Sequence, residues 1–242
     1  MTDIFLDTAN LKEIKEIKKW GILKGITTNQ KIFLKEKGVN FEEQAKAILD
    51  VVFPLPVSLE GPNNFQGIYD SAMEYSLWRD ESNNRYKNIV IKVPMLGNGE
   101  GLQAVKTLSN KFIKTNVTAC MTLNQAFLAA NAGATYISLF YNRMIDWRIK
   151  TMGSNDQQSR LESLVTISET MKMLEEGNFK TKLIVGSIRE ATDIEEILTA
   201  QPNIITIPTK IIKEMVKNEM TESTLKEFEK AWNEFCKAEK KK

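Results

Sequence analysis

The sequence predicts an α/β fold, namely a single (β/α)8 TIM barrel with an additional C-terminal helix. The first observation behind this prediction is that short apolar runs alternate with amphipathic segments about eight times. The second is the length, since 242 residues are typical of such a barrel built as one domain. The third is that no glycine-rich turn follows the first strand, which argues against an open doubly wound sheet.

The predicted strands are short segments in which β-branched and other apolar residues predominate. They cover residues 3–8, 25–29, 56–60, 88–94, 116–121, 135–140, 182–187 and 203–208. The predicted helices cover residues 11–17, 41–52, 69–77, 102–108, 123–132, about 159–176, 193–198 and 225–235. Asn10 is a candidate cap for the first helix and Gly21 is predicted to end it, while Gly133 is predicted to end the helix at 123–132. Arg143 and Asp146 are predicted to lie in a loop after the sixth strand.

The chain is predicted to form one domain over residues 1–242, because no linker, low-complexity segment or change of composition divides it. Residues up to about 218 form the barrel in this prediction, and residues from about 221 to 242 form the extra helix and a lysine-rich tail. That helix either covers the barrel or packs on a neighbouring subunit. The final run of Lys240, Lys241 and Lys242 is interpreted as a solvated end rather than a nucleic-acid-binding patch.

The composition excludes several kinds of chemistry and partner. A net charge of +2 gives no electrostatic reason to expect nucleic acid or a membrane as partner. We expect a cytoplasmic protein, because Cys120 and Cys236 suggest free thiols and no signal pattern or bilayer-spanning run occurs. The chain has no histidine, which excludes Ser-His-Asp, Cys-His and histidine-based zinc sites.

The fourth predicted strand contains a lysine among residues that are apolar on both faces. Lys92 is therefore expected to be buried, and burial disfavours the charged ammonium form of a lysine. A neutral amine is a nucleophile towards carbonyl groups, so Lys92 is the candidate Schiff-base residue. The alternative interpretation is a shorter strand, with Lys92 extending its ammonium group into solvent.

Polar residues collect at the carboxyl ends of the predicted strands, where barrels of this kind carry their active sites. They are Asp7, Thr27, Asn29, Glu60, Lys92, Asn116, Thr118, Ser138, Arg143, Ser187 and Arg189. Each has a simpler explanation when taken alone: Asp7 or Asn29 as a helix cap, and each arginine as half of a surface ion pair with Glu190, Asp193 or Asp146. The set as a whole favours a binding or catalytic site.

Several of these segments together resemble the transaldolase family, which includes the short fructose-6-phosphate aldolases. They are FLDTA at 5–9, GITTN at 25–29, VSLE at 57–60, IKVP at 91–94 before GL at 101–102, NVT at 116–118, GATYIS at 133–138, Phe140 with Arg143, and SIR at 187–189. The resemblance runs in order from about residue 3 to residue 208, which is nearly the whole barrel.

The resemblance implies a class I aldol mechanism without metal or cofactor. Lys92 would form a Schiff base with C2 of a ketose, and Asp7 would handle the proton of the C4 hydroxyl. Glu60 and Thr118 would hold the catalytic water. The residues implied to bind substrate are Asn29, Asn116 and Ser138, with Thr27 beside them, for the dihydroxyacetone portion, and Arg143, Ser187 and Arg189 for the phosphate. Arginine suits a phosphate because its guanidinium offers planar bidentate donors.

The expected activity is transfer of a dihydroxyacetone unit from sedoheptulose 7-phosphate or fructose 6-phosphate to an aldose phosphate, by a homo-oligomer. Glu60 and Phe140 resemble the transaldolases, whereas the short length resembles the aldolases, which release free dihydroxyacetone. Gln30, Leu139 and Asn142 depart from the family pattern, so a specialised enzyme for an unusual sugar phosphate is another alternative. A sugar-phosphate-binding barrel without catalysis is the alternative outside the enzymes.

Overall fold

The computed structural model describes residues 1–239 and contains a closed barrel of parallel strands, in which each strand pairs with the next and the last pairs with the first. The strands are β1 (Asp3–Asp7), β2 (Leu23–Thr27), β3 (Val57–Glu60), β4 (Ile89–Pro94), β5 (Thr115–Cys120), β6 (Tyr136–Phe140), β7 (Lys182–Gly186) and β8 (Ile204–Ile207). The predicted (β/α)8 barrel is therefore confirmed. The predicted lysine run at residues 240–242 lies outside the described residues.

One helix follows each strand along the chain, except that two follow each of β2, β6 and β8. They are α1 (Leu11–Lys18), α2 (Gln30–Lys35), α3 (Phe41–Val52), α4 (Phe65–Leu77), α5 (Glu100–Ser109), α6 (Leu123–Ala132), α7 (Tyr141–Met152), α8 (Asp156–Glu176), α9 (Ala191–Thr199), α10 (Thr209–Met215) and α11 (Glu219–Glu239). The loop predicted for Arg143 and Asp146 is wrong, because both residues lie in α7. Helices α2 and α10 were also not predicted, since six and seven residues are too short to show a clear helical period.

Asparagine begins many of the helices. The side-chain oxygens of Asn10, Asn29, Asn40, Asn64 and Asn155 accept backbone N–H groups in the first turns of α1, α2, α3, α4 and α8. This satisfies donors that have no partner inside the helix. The predicted cap at the start of the first helix is confirmed.

The barrel interior has an apolar lower layer that supports a polar upper layer. Phe5, Ile184 and Ile204 form a small buried cluster, and Tyr136 packs on it. Gly25 leaves room for this layer, since a Cβ atom there would come within 2.5 Å of the Phe5 ring. Every second side chain of a strand points into the barrel. The next inward-facing residue after each member of this apolar layer is therefore two positions further along its strand, towards the carboxyl end.

Helix α11 confirms the predicted additional C-terminal helix and contains no buried residue. Its exposed apolar side chains include Phe228, Trp232 and Phe235. Among the residues that the structure describes, no helix combines the length and the apolar character needed to cross a membrane. Cys120 and Cys236 are free thiols, as predicted.

Candidate active site

A cavity of about 400 Å³ opens at the carboxyl ends of the strands, and it receives most of the predicted site residues. The predicted residues that line it are Asp7, Thr27, Asn29, Glu60, Lys92, Thr118, Ser138, Phe140, Arg143 and Ser187. Asn116 and Arg189 are not among the lining residues, although the fully buried Asn116 is hydrogen-bonded to Ser138, which is. The structure therefore brings ten side chains from seven strands, β1 to β7, and their following segments to one place, as a parallel barrel is expected to do.

Lys92 is buried inside β4, with only 5% of its surface exposed. Its Nζ atom donates a hydrogen bond to the backbone oxygen of Thr28 at 2.9 Å and lies 3.8 Å from Oε2 of Glu60. The alternative in which Lys92 reaches solvent does not describe this structure. A substrate carbonyl in the cavity would meet an amine held in a fixed position by its neighbours.

Two carboxylates share the cavity with Lys92, and burial affects both. The pKa of Asp7 is raised mainly by burial, and the opposing influences of Lys92 and of a hydrogen bond from Thr27 only partly offset it. That bond runs from Thr27 Oγ1 to Asp7 Oδ1 at 2.8 Å. The pKa of Glu60 is also raised by burial, with Lys92 acting in the opposite direction. Raised pKa values suit carboxyl groups that exchange protons near neutral pH.

A buried chain of hydrogen bonds fixes the base of the cavity. Ser138 Oγ donates to Asn116 Oδ1 at 2.8 Å, and Asn116 Nδ2 donates to Ser58 Oγ at 3.2 Å. These residues lie on neighbouring and next-neighbouring strands around the barrel. The hydroxyl of Thr118 is buried and has no hydrogen-bond partner within residues 1–239.

Asn29 combines two roles that the sequence presented as alternatives. Its side-chain oxygen caps α2 by accepting the N–H of Ile32 at 2.9 Å. The same side chain lines the cavity. Helix α2 therefore begins at the edge of the cavity, and the cap fixes the orientation of the Asn29 amide.

The predicted phosphate-binding residues are divided between the cavity and its outer edge. Arg143, in the first turn of α7, and Ser187, just after β7, line the cavity. Arg189 forms a two-point ion pair with Asp146, with Nη1 2.8 Å from Oδ1 and Nη2 in contact with Oδ2. This pair lowers the pKa of Asp146. The surface ion pair considered for Arg189 is thus present, and its guanidinium is half exposed beside the cavity.

Several lining residues were missed by the sequence analysis. Thr206 on β8 approaches Thr27, with 2.5 Å between the hydroxyl oxygens, and its position just before a strand end could have identified it. Gln30 donates to the backbone oxygen of Gly61 at 2.8 Å. Lys31 also lines the cavity, but nothing in its sequence context indicated this. Within residues 1–239, no group of three histidine, cysteine, aspartate or glutamate residues is placed to hold a metal ion.

Fold and site together define a (β/α)8-barrel protein with a lysine-centred polar cavity at the end of the barrel where enzymes of this fold carry their active sites. A family model described as "Transaldolase/Fructose-6-phosphate aldolase" matches residues 4–242. The chain belongs to this family.

Curated relatives resemble the chain over nearly its whole length. A protein of Thermoanaerobacter sp. named "Probable transaldolase" is 37% identical over 228 residues, which is 94% of this chain and 95% of the relative. A protein of the same name from Caldicellulosiruptor saccharolyticus is 36% identical over 236 residues, or 97% and 98% of the two chains. A third, from Clostridioides difficile, is 37% identical over 229 residues, covering 94% and 95%.

Proposed function

We propose that the protein is a transaldolase that moves a dihydroxyacetone unit from a ketose phosphate to an aldose phosphate through a Schiff base. The donors would be sedoheptulose 7-phosphate or fructose 6-phosphate. The observation that supports this most strongly is that Lys92 is buried in the same cavity as Asp7 and Glu60. Membership of the family and the names of the relatives point to the same activity.

The proposed reaction begins when Lys92 Nζ attacks the C2 carbonyl of the ketose. Loss of water from the resulting carbinolamine gives a protonated imine, which accepts the electron pair of the C3–C4 bond when that bond breaks. Asp7 takes the proton of the C4 hydroxyl as the aldehyde product leaves. The remaining enamine then attacks the carbonyl of the acceptor aldose, and water releases the new ketose and the free lysine.

In this scheme Glu60 and Thr118 would bind the catalytic water, and Glu60 would exchange a proton with it. The carboxylate of Glu60 lies 3.8 Å from Lys92 Nζ, where it can exchange a proton with a water bound at the carbinolamine. The unpartnered hydroxyl of Thr118 can hold that water from the other side. Proton transfers of this kind contribute about 10²–10⁴-fold each.

The other lining residues would bind the two ends of the sugar. Asn29, Ser138 and Thr27, with Asn116 behind them, would take the hydroxyl groups of the dihydroxyacetone portion. Phe140 would pack against the carbon chain. Arg143, Ser187 and Arg189 would bind the phosphate. Arg189 would either leave its ion pair with Asp146 or bind Asp146 and the phosphate at the same time. Phosphate is a stronger bidentate partner for arginine than a solvent-exposed carboxylate, because it carries more charge.

The test is borohydride trapping with fructose 6-phosphate, followed by intact mass and peptide mapping. We expect an adduct the size of dihydroxyacetone on Lys92, and no adduct in Lys92→Arg. An adduct of the uncleaved sugar would place the failure after imine formation, at Asp7 or the water. Absence of any adduct with several ketose phosphates would contradict the proposal and favour a sugar-phosphate-binding barrel.

The second candidate function is aldolase cleavage that releases free dihydroxyacetone, since the matching family includes both activities. Turnover of fructose 6-phosphate without an aldose acceptor would establish it. Glu60 is interpreted as favouring transfer, because a carboxylate close to Lys92 Nζ attracts the positive charge of the imine and so helps to keep the three-carbon unit on the lysine until an aldose acceptor arrives. We expect Glu60→Gln to raise the ratio of free dihydroxyacetone to transferred product, and an unchanged ratio would contradict this role.

We also propose a cytoplasmic homo-oligomer that acts on sugar phosphates in carbohydrate metabolism, without nucleic-acid or membrane partners. The near-neutral net charge and the two free thiols support the location and the lack of such partners. The exposed apolar side chains of α11 support subunit contact. Light scattering of the purified protein tests the oligomer, and a monomer would contradict it.

A further inference from the structure

Asn142 and Asp193 are buried polar residues beside the proposed phosphate site, and the mechanism above gives neither of them a role. Asn142 is 4% exposed and Asp193 is fully buried. Asn142 lies in α7 directly before Arg143, and Asp193 lies in the first turn of α9, just after Ser187 and Arg189. The pair therefore lies between the two segments that carry the phosphate-binding residues.

The amide of Asn142 connects these two segments directly. Its Nδ2 atom donates to the backbone oxygen of Ser187 at 2.9 Å and to Oδ2 of Asp193 at 2.6 Å. An amide nitrogen has two N–H donors, so both are used in these contacts. No other side chain within residues 1–239 forms a hydrogen bond to the Ser187 carbonyl.

Asp193 holds the other side of the same turn. Its Oδ2 atom accepts the backbone N–H groups of Arg189 at 2.8 Å and Glu190 at 3.2 Å. Its Oδ1 atom accepts from Arg160 of α8 at 3.1 Å. A buried carboxylate is retained only when it is paired and hydrogen-bonded, and these donors, together with Asn142, satisfy that need.

The turn held in this way has a backbone that is otherwise unfavourable. Ser187 has φ +64°, in the left-handed region that residues with a Cβ atom seldom adopt. Such conformations persist when surrounding contacts determine them, and they cluster at ligand-binding positions. The Asn142 bond to the Ser187 carbonyl is one of those contacts, and it comes from the segment that carries Arg143.

We propose that Asn142 and Asp193 are positioning residues that keep Arg143 at a fixed distance from the Ser187–Arg189 turn, at the spacing that accepts a phosphoryl group. The pair then sets how strongly the enzyme prefers phosphorylated sugars to unphosphorylated ones. This inference rests on the proposed function, since it gives that site its selectivity. Asp193 also completes the capping box of α9 with Glu190, so the decisive tests use Asn142.

The test compares Asn142→Leu with a matched control, Asn88→Leu. Asn88 is also a buried asparagine, and its Nδ2 atom donates to two backbone oxygens, those of Leu49 at 3.2 Å and Leu55 at 3.1 Å, away from the cavity. Each variant loses two hydrogen bonds donated by a buried amide, and in Asn142→Leu one of the two acceptors is the Asp193 carboxylate. Only the variant at Asn142 should alter recognition of phosphate.

The expected result for Asn142→Leu is a rise of about tenfold in KM for fructose 6-phosphate and in the calorimetric Kd for inorganic phosphate. We expect kcat to change by less than about threefold, since the reacting groups around Lys92 are untouched. Borohydride trapping of dihydroxyacetone, which has no phosphate, should proceed at the wild-type rate. Asn88→Leu should lower Tm and leave all three quantities unchanged.

Two results would overturn the inference: an unchanged Kd for inorganic phosphate in Asn142→Leu, or equal losses for fructose 6-phosphate and dihydroxyacetone. Asn142→Ala, which adds no apolar bulk, replaces the leucine variant if that chain does not fold. The phosphate Kd is measured without turnover, so it tests the inference even if the wild-type protein traps no dihydroxyacetone. Failure of wild-type trapping would instead contradict the proposed function.

Discussion

Asp7 is the residue whose surroundings most directly affect the chemistry available at the barrel mouth. Burial favours its neutral form, whereas Lys92 and the hydroxyl of Thr27 favour its ionised form, and the net effect is a raised pKa. A carboxyl group in that balance can accept the C4 proton of a sugar and return it later. The contact that is simplest to remove is the hydrogen bond from Thr27.

We expect Thr27→Val to move the acid limb of the kcat/KM profile to higher pH. The hydroxyl donates to the ionised carboxylate and lowers the pKa of Asp7, so its loss raises that pKa further. The proposed mechanism needs Asp7 ionised in the cleavage direction, and a higher pH is then required to reach that state. The measurement is a pH–rate profile with fructose 6-phosphate as donor.

Thr27→Ser is the control, because it retains a hydroxyl that can donate to Asp7. Its profile should follow that of the wild-type protein. If Thr27→Val instead lowers kcat/KM equally at every pH and leaves the acid limb at its wild-type pH, this hydrogen bond does not set the pKa of Asp7.

Most residues of the cavity could be predicted from one property of parallel barrels. Polar side chains near the carboxyl ends of the strands all meet at the same mouth. Thr206 follows from the same property, although it was not singled out. Whether Arg189 faces the cavity or pairs with Asp146 depends on side-chain directions across two segments, and spacing in the sequence does not determine these. Lys31 reaches the cavity from a short helix whose existence the sequence did not indicate.

At the scale of elements, the connection between β4 and α5 determines where the strand that carries Lys92 ends. Gly101, in the first turn of α5, lies so close to β4 that a Cβ atom there would come within 2.3 Å of the Pro94 backbone oxygen. Pro94 pairs with Thr118 of β5, and both residues line the cavity. The lack of a side chain at Gly101 therefore allows the helix to start directly against the end of the strand.

We expect Gly101→Ala to lower the free energy of unfolding by about 1–3 kcal/mol and to reduce kcat. The added methyl group must displace the Pro94 carbonyl, two residues beyond Lys92, and shift the edge of the cavity. Urea unfolding and the rate of borohydride trapping measure the two effects. Gly97→Ala is the matched control, since a Cβ atom there meets nothing within 4 Å and its stability and trapping rate should stay near wild type.

Two of the helices that the sequence did not reveal, α7 and α10, have weak start signals. Helix α7 begins directly after β6, and α10 begins after Pro208, and neither has a side-chain hydrogen bond at its N-cap. Helix α7 is held instead by burial of residues such as Tyr141 and Met144. Packing of this kind joins residues far apart in the chain and is not visible in a local pattern. The strands were predictable because β-branched and other apolar residues predominate in most of them.

At the scale of the whole molecule, the barrel holds two carboxyl groups whose pKa values are raised mainly by burial. The lower layer around Phe5 is apolar, whereas the upper layer contains Asp7, Glu60 and Lys92. A carboxyl group with a raised pKa binds a proton more tightly in the folded chain than in the unfolded chain. Between the two pKa values, stability therefore falls as the pH rises, and the ionised group at neutral pH reduces the stability of the fold.

We expect Asp7→Asn to raise the free energy of unfolding at neutral pH while it abolishes cleavage. The amide has nearly the same shape, can still accept from Thr27 and has no charge to bury. The gain should disappear well below the ordinary carboxyl pKa, where Asp7 is neutral in both the folded and the unfolded chain. Urea unfolding at the two pH values measures this, and trapping should then yield only the uncleaved sugar on Lys92.

Asp146→Asn gives the opposite sign and serves as the control. The pKa of Asp146 is lowered by Arg189, so its ionised form stabilises the folded chain, and its loss should slightly lower stability at neutral pH. The effect is small because the pair is exposed to solvent and screened by it. If Asp7→Asn were no more stable than wild type at neutral pH, the attraction of Lys92 would outweigh burial, and the site would carry its charges without loss of stability.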